Sequence, residues 1–312
     1  MYQTLAIGPF TETEQEALRA EFGATFMATP AGLSELDESA RGAVRAVAYK
    51  GGKSFGAAEM DLLPNLGVVS NFGVGYDAID VSAATKRAIK VTNTPDVLND
   101  DVADLAVAMM LMQGREMLQA SAWAHSGQWA NTGEYRLNRK VSGGTVGIVG
   151  LGRIGREIAN RLAAFKMNIH YYSRQEKETP GWEWHADPVS LAHAVDYLVI
   201  ALVGGKETEN FVSREVIDAL GPRGVVVNIS RGTTVDEEAL LQALETGRIA
   251  GAGLDVFRNE PKIDPRFYAL PNVVIQPHQG SGTVETRAAM AALQRRNITA
   301  FLAGNALETP VN

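Results

Sequence analysis

Short apolar runs alternate along the chain with longer stretches whose apolar residues recur at helical spacing. In the first third the runs predict strands at 4–7, 25–28, 44–49, 67–70 and 90–92. Between them the pattern predicts helices over 14–22, from Ser34 to about 43, 57–63 and 81–89. The first helix has two candidate capping boxes, Thr13 with Glu16 and, as the alternative, Thr11 with Glu14. Asn99-Asp100-Asp101 reads as the cap of a long apolar helix over 102–119. A second alternating series then predicts strands at 146–149, 168–172, 197–201, 224–228, 251–255 and 272–276. Helices over 153–165, 214–220 and 237–246 fall between these strands, and 284–303 reads as one closing helix. Strands separated by helices mean parallel sheets, so the chain predicts an α/β fold of two doubly wound domains. No long polar tether separates the two series.

Residues 120–143 break the alternation. Trp123, Trp129 and Tyr135 stand there among polar residues. Large aromatic side chains in such a setting suit a protein interface.

Composition narrows the partners. The 312 residues are 46% hydrophobic, enough for full cores, and carry a net charge of −7. An acidic chain speaks against non-specific nucleic-acid binding. Without cysteine there are no disulfides and no thiolate chemistry, which suits the cytoplasm. The first residues lack the basic and apolar regions of a signal peptide, and no apolar run is long enough to span a membrane.

The richest stretch is Thr145 to Arg156, a buried-strand pattern followed by Gly150-Leu151-Gly152-Arg153-Ile154-Gly155. The first glycine permits a tight turn, the second a close approach of backbone to pyrophosphate, and the third close helix packing. Gly150, Leu151, Gly152, Arg153 and Ile154 are therefore expected to bind a dinucleotide. At the end of the next strand an NAD site places a carboxylate for the ribose 2′-hydroxyl. Here that position holds Ser173 and then Arg174, with Lys177 further on. A hydroxyl and a guanidinium suit a 2′-phosphate, so NADP(H) is expected over NAD(H).

Three later strands end in reactive groups. Arg231 follows 224–228, Asp255 closes 251–255 with Glu260 beyond it, and His278 follows 272–276. In an open parallel sheet the ligand crevice lies at the carboxyl ends of strands. Reduction of an anionic carbonyl compound by such a dinucleotide needs its anionic group held, its carbonyl polarised and a proton supplied. Arg231 can do the first two as a bidentate donor. His278 can give the proton, and Glu260 can pair with it to fix the ring tautomer and favour the protonated ring. His125, His170, His185 and His193 have no such context. His170 reads as part of a strand and His193 as helical surface. No His/carboxylate spacing typical of a metal site stands out.

Together these stretches, with Asn71 to Asp77 and the Thr309-Pro310-Val311 tail, resemble the D-isomer-specific 2-hydroxyacid dehydrogenases of the glyoxylate/hydroxypyruvate reductase type. The resemblance covers nearly the whole chain. It implies a flavodoxin-like substrate domain from 1–100 and 284–312, with a Rossmann domain, 101–283, inserted in it. It implies that Asp255 contacts the nicotinamide carboxamide, that Thr208 belongs to the cofactor loop, and that the backbone N–H groups of Gly51-Gly52 and Val74-Gly75 cradle the substrate carboxylate. It implies a homodimer through 101–143, with Trp123 and Trp129 as anchors. Val203 departs from the pattern, which often has proline there. Tyr49 and Lys50 flank the Gly51-Gly52 loop and suggest a larger or more polar substrate, or for Lys50 simply a rim charge. The alternative substrates are 2-ketogluconate and aryl pyruvates. A nicotinamide-sensing, corepressor-like binding protein is the alternative outside catalysis.

Overall fold

The computed structural model describes residues 4–312. The chain forms two compact units, one running up to Val97 and including Val284–Asn312, the other Leu98–Thr283. The first contains β1 (Thr4–Ile7), α1 (Glu12–Phe22), β2 (Thr25–Met27), a 3-10 segment (Pro30–Glu35), α2 (Glu38–Ala43), β3 (Ala46–Tyr49), α3 (Ala57–Asp61), β4 (Val68–Asn71), α4 (Val81–Lys86) and β5 (Lys90–Thr92). Its five strands are parallel, in the order β2-β1-β3-β4-β5. This is the flavodoxin-like order.

The sheet is covered on both faces, so its central strands are buried at every position rather than at alternate ones. Leu5, Ile7, Val47, Tyr49, Val69 and Val91 point to one core. Ala6, Ala46, Ala48 and Val68 point to the other, where Ile298 packs. Small alanines on that face leave room for a helix. In the second unit come α5 (Asn99–Gly114), α6 (Met117–His125), α7 (Gln128–Thr132), β6 (Thr145–Val149), α8 (Arg153–Ala164), β7 (Asn168–Tyr172), β8 (Glu183–His185), α9 (Pro188–Ala194), β9 (Tyr197–Ile200), α10 (Arg214–Leu220), β10 (Val225–Asn228), α11 (Glu237–Glu245), β11 (Gly251–Leu254), α12 (Arg266–Ala269) and β12 (Val273–Ile275). The chain then returns to the first unit as α13 (Val284–Leu302). Buried Gln294 fixes α13 on the first sheet by donating to the carbonyls of Tyr49 at 3.1 Å and Ser70 at 2.7 Å.

The second sheet runs β12-β11-β10-β9-β6-β7-β8, all parallel. Counted from β6, this is the Rossmann order 3-2-1-4-5-6 with one more strand, β12, at the edge. The sequence pattern predicts six strands here and the structure has seven, because the three-residue β8 is too short to show a period. The helix that follows the glycine loop is clamped to α5 by Arg161. Its guanidinium meets Asp100 at 2.7 Å, Asp104 at 2.5 Å and Glu157 at 2.9 Å.

Several boundaries differ from the sequence reading. The cap of α1 is Thr11, whose hydroxyl accepts from the Glu14 N–H while Glu14 accepts from the Thr11 N–H. Thr13 lies inside the helix. Ser34 sits in the 3-10 segment, and α2 starts later under the cap of Asp37, which accepts from Ala40 at 2.7 Å. Asn99 is the first residue of α5 rather than its cap, and the long helix predicted over 102–119 ends at Gly114. Glu116, with φ of +46°, turns the chain so that α6 starts afresh. No helix among the described residues is long and apolar enough to cross a membrane.

Candidate active site

The glycine loop follows β6 as its pattern requires. Gly150 has φ of +102°, and a side chain there would meet the Ala201 carbonyl oxygen at 2.8 Å. Gly155 packs so closely that a Cβ would stand 2.1 Å from the carbonyl oxygen of Gly150. Gly152 is the N-cap of α8, with no atom near the place of a Cβ and no side-chain cap on the helix. The first-turn N–H groups of α8 are therefore open to an anion, which the helix dipole also favours. Leu151 is buried, Arg153 exposed and Ile154 half-buried. Lys177 does not stand ready for a phosphate. Its ammonium donates to the Leu151 carbonyl at 2.7 Å and ties down the glycine loop.

At the end of β7 the two predicted cofactor residues separate. Ser173 is buried and its hydroxyl donates to the Gln175 carbonyl at 2.5 Å, so it must rotate to serve a ligand. Arg174 is exposed and makes no hydrogen bond or ion pair among the described residues. Across the sheet the Thr208 hydroxyl donates to Val203 at 2.7 Å and Gly205 at 3.1 Å, bracing the loop after β9.

Arg231, Asp255 and His278 follow three adjacent parallel strands, β10, β11 and β12. His278 Nδ1 lies 2.7 Å from Glu260 Oε2, and the other carboxylate oxygen accepts the Phe257 N–H at 2.8 Å. A carboxylate can only accept, so Nδ1 carries the proton and Nε2 is left for another partner. Burial opposes ionisation of Glu260. The hydrogen bond and charge of His278, the Phe257 N–H and the charge of Arg231 outweigh it and hold the carboxyl below its ordinary range. Arg231 donates to the Ser230 carbonyl at 2.9 Å. Asp255 is buried, and burial holds its carboxyl above the usual range against the backbone N–H groups of Gln279 and Gly280, which it accepts at 2.6 and 2.8 Å. Those bonds aim Asp255 at the His278 loop. His278 itself has φ of +56°, a left-handed conformation costly for a non-glycine residue, held by its N–H donating to the Asp255 carbonyl at 2.9 Å.

Two supporting residues escape the sequence reading. Asn228 is buried, donates to the Arg231 carbonyl at 2.9 Å and accepts the Ser230 N–H at 3.0 Å, fixing the turn that presents Arg231. An amide at the end of an otherwise apolar strand was the available signal. Gly204 lies under the Arg231 side chain, where a Cβ would come within 2.5 Å of Cγ. Nothing in its local sequence marks that contact.

In the first unit, Gly51-Gly52 and Val74-Gly75 follow β3 and β4, whose last residues Tyr49 and Asn71 are paired neighbours. Asn71 donates to the carbonyls of Gly73 and Gly75, and Asn93 to that of Val74. The carbonyls are thus turned inward. Among the described residues the N–H groups of Gly51, Gly52, Val74 and Gly75 have no acceptor. Tyr49 and Lys50 are structural instead. The Tyr49 hydroxyl donates to the Lys53 carbonyl, and Lys50 pairs with Glu14 at 2.6 Å and lies over the Phe72 ring.

A Rossmann sheet with an open glycine loop, and an arginine and a carboxylate-paired histidine at its strand ends, defines a dinucleotide-dependent oxidoreductase. Residues 107–280 match the D-isomer specific 2-hydroxyacid dehydrogenase, NAD binding domain. The chain is 43% identical to a glyoxylate/hydroxypyruvate reductase of Arabidopsis thaliana, over 98% of each chain. It is 46% identical to hydroxyphenylpyruvate reductase of Plectranthus scutellarioides, over 86% of this chain and 85% of that one. The crystal structure of an NADPH-dependent glyoxylate/hydroxypyruvate reductase from Sinorhizobium meliloti, with NADP and malonate, matches with a TM-score of 0.93 and 40% identity, covering 100% of this chain and 97% of that one. The protein belongs to the D-isomer-specific 2-hydroxyacid dehydrogenase family.

Proposed function

We propose that the protein reduces a small 2-keto acid of the glyoxylate/hydroxypyruvate type to the D-2-hydroxy acid with NADPH. The observation that carries this reading is the 2.7 Å pairing of His278 Nδ1 with Glu260, which leaves Nε2 as the proton donor beside Arg231. The residues fit a dinucleotide: the loop Gly150 to Ile154 and the uncapped α8 would hold its pyrophosphate. When bound, NADPH supplies the hydride. Arg231 binds the acid's carboxylate and polarises its keto oxygen. The protonated ring of His278 gives its Nε2 proton to that oxygen, and Glu260 accepts from Nδ1, orients the ring and stabilises its charge. The N–H groups of Gly51, Gly52, Val74 and Gly75, without an acceptor among the described residues, support assigning these two loops to substrate binding. Asp255 orients the His278 loop and contacts the carboxamide with its remaining lone pairs.

The preference for NADPH is supported by Arg174, an exposed guanidinium with no partner among the described residues and no acidic residue in its place. The NADPH-dependent relative lends the same support. Met117, Leu118, Trp129 and Leu137 are exposed, Leu137 at 97%, and we assign this apolar region of 101–143 to a homodimer. A monomeric mass in solution would overturn that assignment. With no thiol to protect, the enzyme suits the cytoplasm.

The test is a panel of specificity constants for glyoxylate, hydroxypyruvate, phenylpyruvate and 2-ketogluconate with both cofactors. The two small acids with NADPH should lead it, and Arg174→Ala should lower the NADPH preference by about 10- to 100-fold, the worth of a charge-assisted hydrogen bond. Absence of turnover with every pair would sink the enzymatic reading, and an unchanged preference would remove Arg174 from it.

A further inference from the structure

The strand that the sequence pattern does not reveal creates a cluster outside the active site. β8 pairs with β7 so that His170 lies opposite Glu183 and Tyr172 opposite His185. Residues two apart on a strand share a face, so His170, Glu183 and His185 all point to one side of the sheet edge. His170 Nδ1 and His185 Nε2 are 3.0 Å apart. The Glu183 carboxylate lies 3.6 Å from the first and 3.7 Å from the second. A tetrahedral zinc site with bonds of 2.0–2.1 Å places neighbouring ligand atoms about 3.3 Å apart. The two carboxylate oxygens, Oε2 towards His170 and Oε1 towards His185, and the pair of ring nitrogens each stand within a few tenths of an ångström of that spacing, and one ligand atom from each residue can be chosen with all three within 4.8 Å of one another.

We propose that His170, Glu183 and His185 form a three-ligand site for a zinc-class divalent ion, which joins the edge strand β8 to β7. Two imidazoles and one carboxylate are a donor set for such ions. The side chains of His170 and His185 are 12% and 11% exposed, while that of Glu183 is 65% exposed. Two ligands are thus held by packing, and the third leaves an open side for water as the fourth. The far nitrogen of His185, Nδ1, lies 3.3 Å from Ser190 Oγ, which in turn donates to the Asp187 carbonyl. An outer partner of this kind orients a ligating imidazole. The two rings share one proton between Nδ1 and Nε2 at present. On metal binding that proton moves to the far nitrogen of its own ring, and no net charge change on the rings is needed. In His185 the Ser190 hydroxyl is placed to accept it.

The test uses the full-length protein, chelator-treated and then titrated with Zn²⁺ by calorimetry and with Co²⁺ by visible absorption. The wild type should bind about one equivalent at this site, show the intense d–d band of four-coordinate cobalt, and melt at higher temperature with Zn²⁺. His170→Gln and His185→Gln should lose all three signals. His278→Gln should keep them, which separates this cluster from the exposed His278–Glu260 pair. Glu183→Gln alters an exposed side chain and so spares the fold. It should weaken zinc binding about tenfold or more, at least as much as losing an outer partner does. No saturable binding by the wild type, or binding unchanged in His185→Gln and Glu183→Gln, overturns the proposal. None of these readouts depends on turnover, so failure here leaves the reductase reading standing.

Discussion

Replacing Glu260 by glutamine isolates the charge from the shape. The carboxylate accepts twice, from His278 Nδ1 at 2.7 Å and from the Phe257 N–H at 2.8 Å. A glutamine amide has one accepting end and one donating end. If its oxygen keeps the Phe257 N–H, its NH₂ faces His278 and cannot accept from a protonated ring. If it flips, NH₂ meets the Phe257 N–H and that bond is lost. Either way one of the two bonds fails, and the protonated ring loses its counter-charge. A hydrogen bond to a charged group is worth about 1.5–3 kcal/mol. With each 1.36 kcal/mol worth tenfold, that is about 10- to 150-fold in rate. Glu260 is a third exposed, so solvent screening favours the lower part of that range, about 10- to 50-fold in kcat at neutral pH. The assay is steady-state reduction of glyoxylate with NADPH, alongside NADPH affinity by fluorescence titration. A fall in kcat with cofactor affinity unchanged is expected, together with a larger isotope effect from cofactor deuterated at the transferred position. A kcat within about twofold of the wild type, or a matching loss of cofactor affinity, would refute the assignment of Glu260 as the positioning partner of the proton donor.

Three further predictions follow from distances and backbone angles. Gly155→Ala puts a methyl group 2.1 Å from the Gly150 oxygen, so loop and helix must separate; NADPH affinity should fall at least about tenfold and stability by about 1–3 kcal/mol, read by fluorescence titration and urea unfolding. His278→Ala and His278→Gly should both lose about 10²- to 10⁴-fold in kcat, yet at φ of +56° the glycine variant should be the more stable by about 1 kcal/mol, reversing the usual order; equal or opposite stability would show that this backbone is unstrained. Because the Glu260 carboxyl is held below its ordinary value of 4.5, its stabilising effect is complete above that value and is lost as pH falls through the lower folded value; melting temperatures of the wild type and Glu260→Gln should differ by a constant amount above about pH 5 and converge in more acid solution, and a gap that persists there would contradict the shift.

The candidate site was legible from sequence because its members stand past apolar strands. Val225–Asn228 and Gly251–Leu254 are buried throughout, so their ends were visible and so were Arg231 and Asp255 beyond them. What escaped was of two kinds. The Ala-, Leu- and Met-rich stretch from 102 to 119 is apolar nearly all round, so its period carried no sign of the left-handed Glu116 that divides α5 from α6. β8 has only three residues, Glu-Trp-His, and its strand character comes from pairing with β7. Missing it also hid the approach of His170 to His185. The pairing of Lys50 was hidden for the same reason: its partner Glu14 is 36 residues away, and only the fold brings them together. Local patterns announce elements and their ends, whereas contacts between distant side chains must await the topology.

The three-residue strand β12 is one of the two edge strands of its sheet, bonded on one side only, to β11. Yet it delivers His278. Edge strands open at lower free energy than the centre of a sheet. The proposed proton donor is therefore mounted on an edge of the Rossmann sheet, while the glycine loop springs from the interior strand β6. As denaturant is raised, molecules should lose turnover while they still hold the dinucleotide, and catalytic activity will understate the fraction of chains that remain folded.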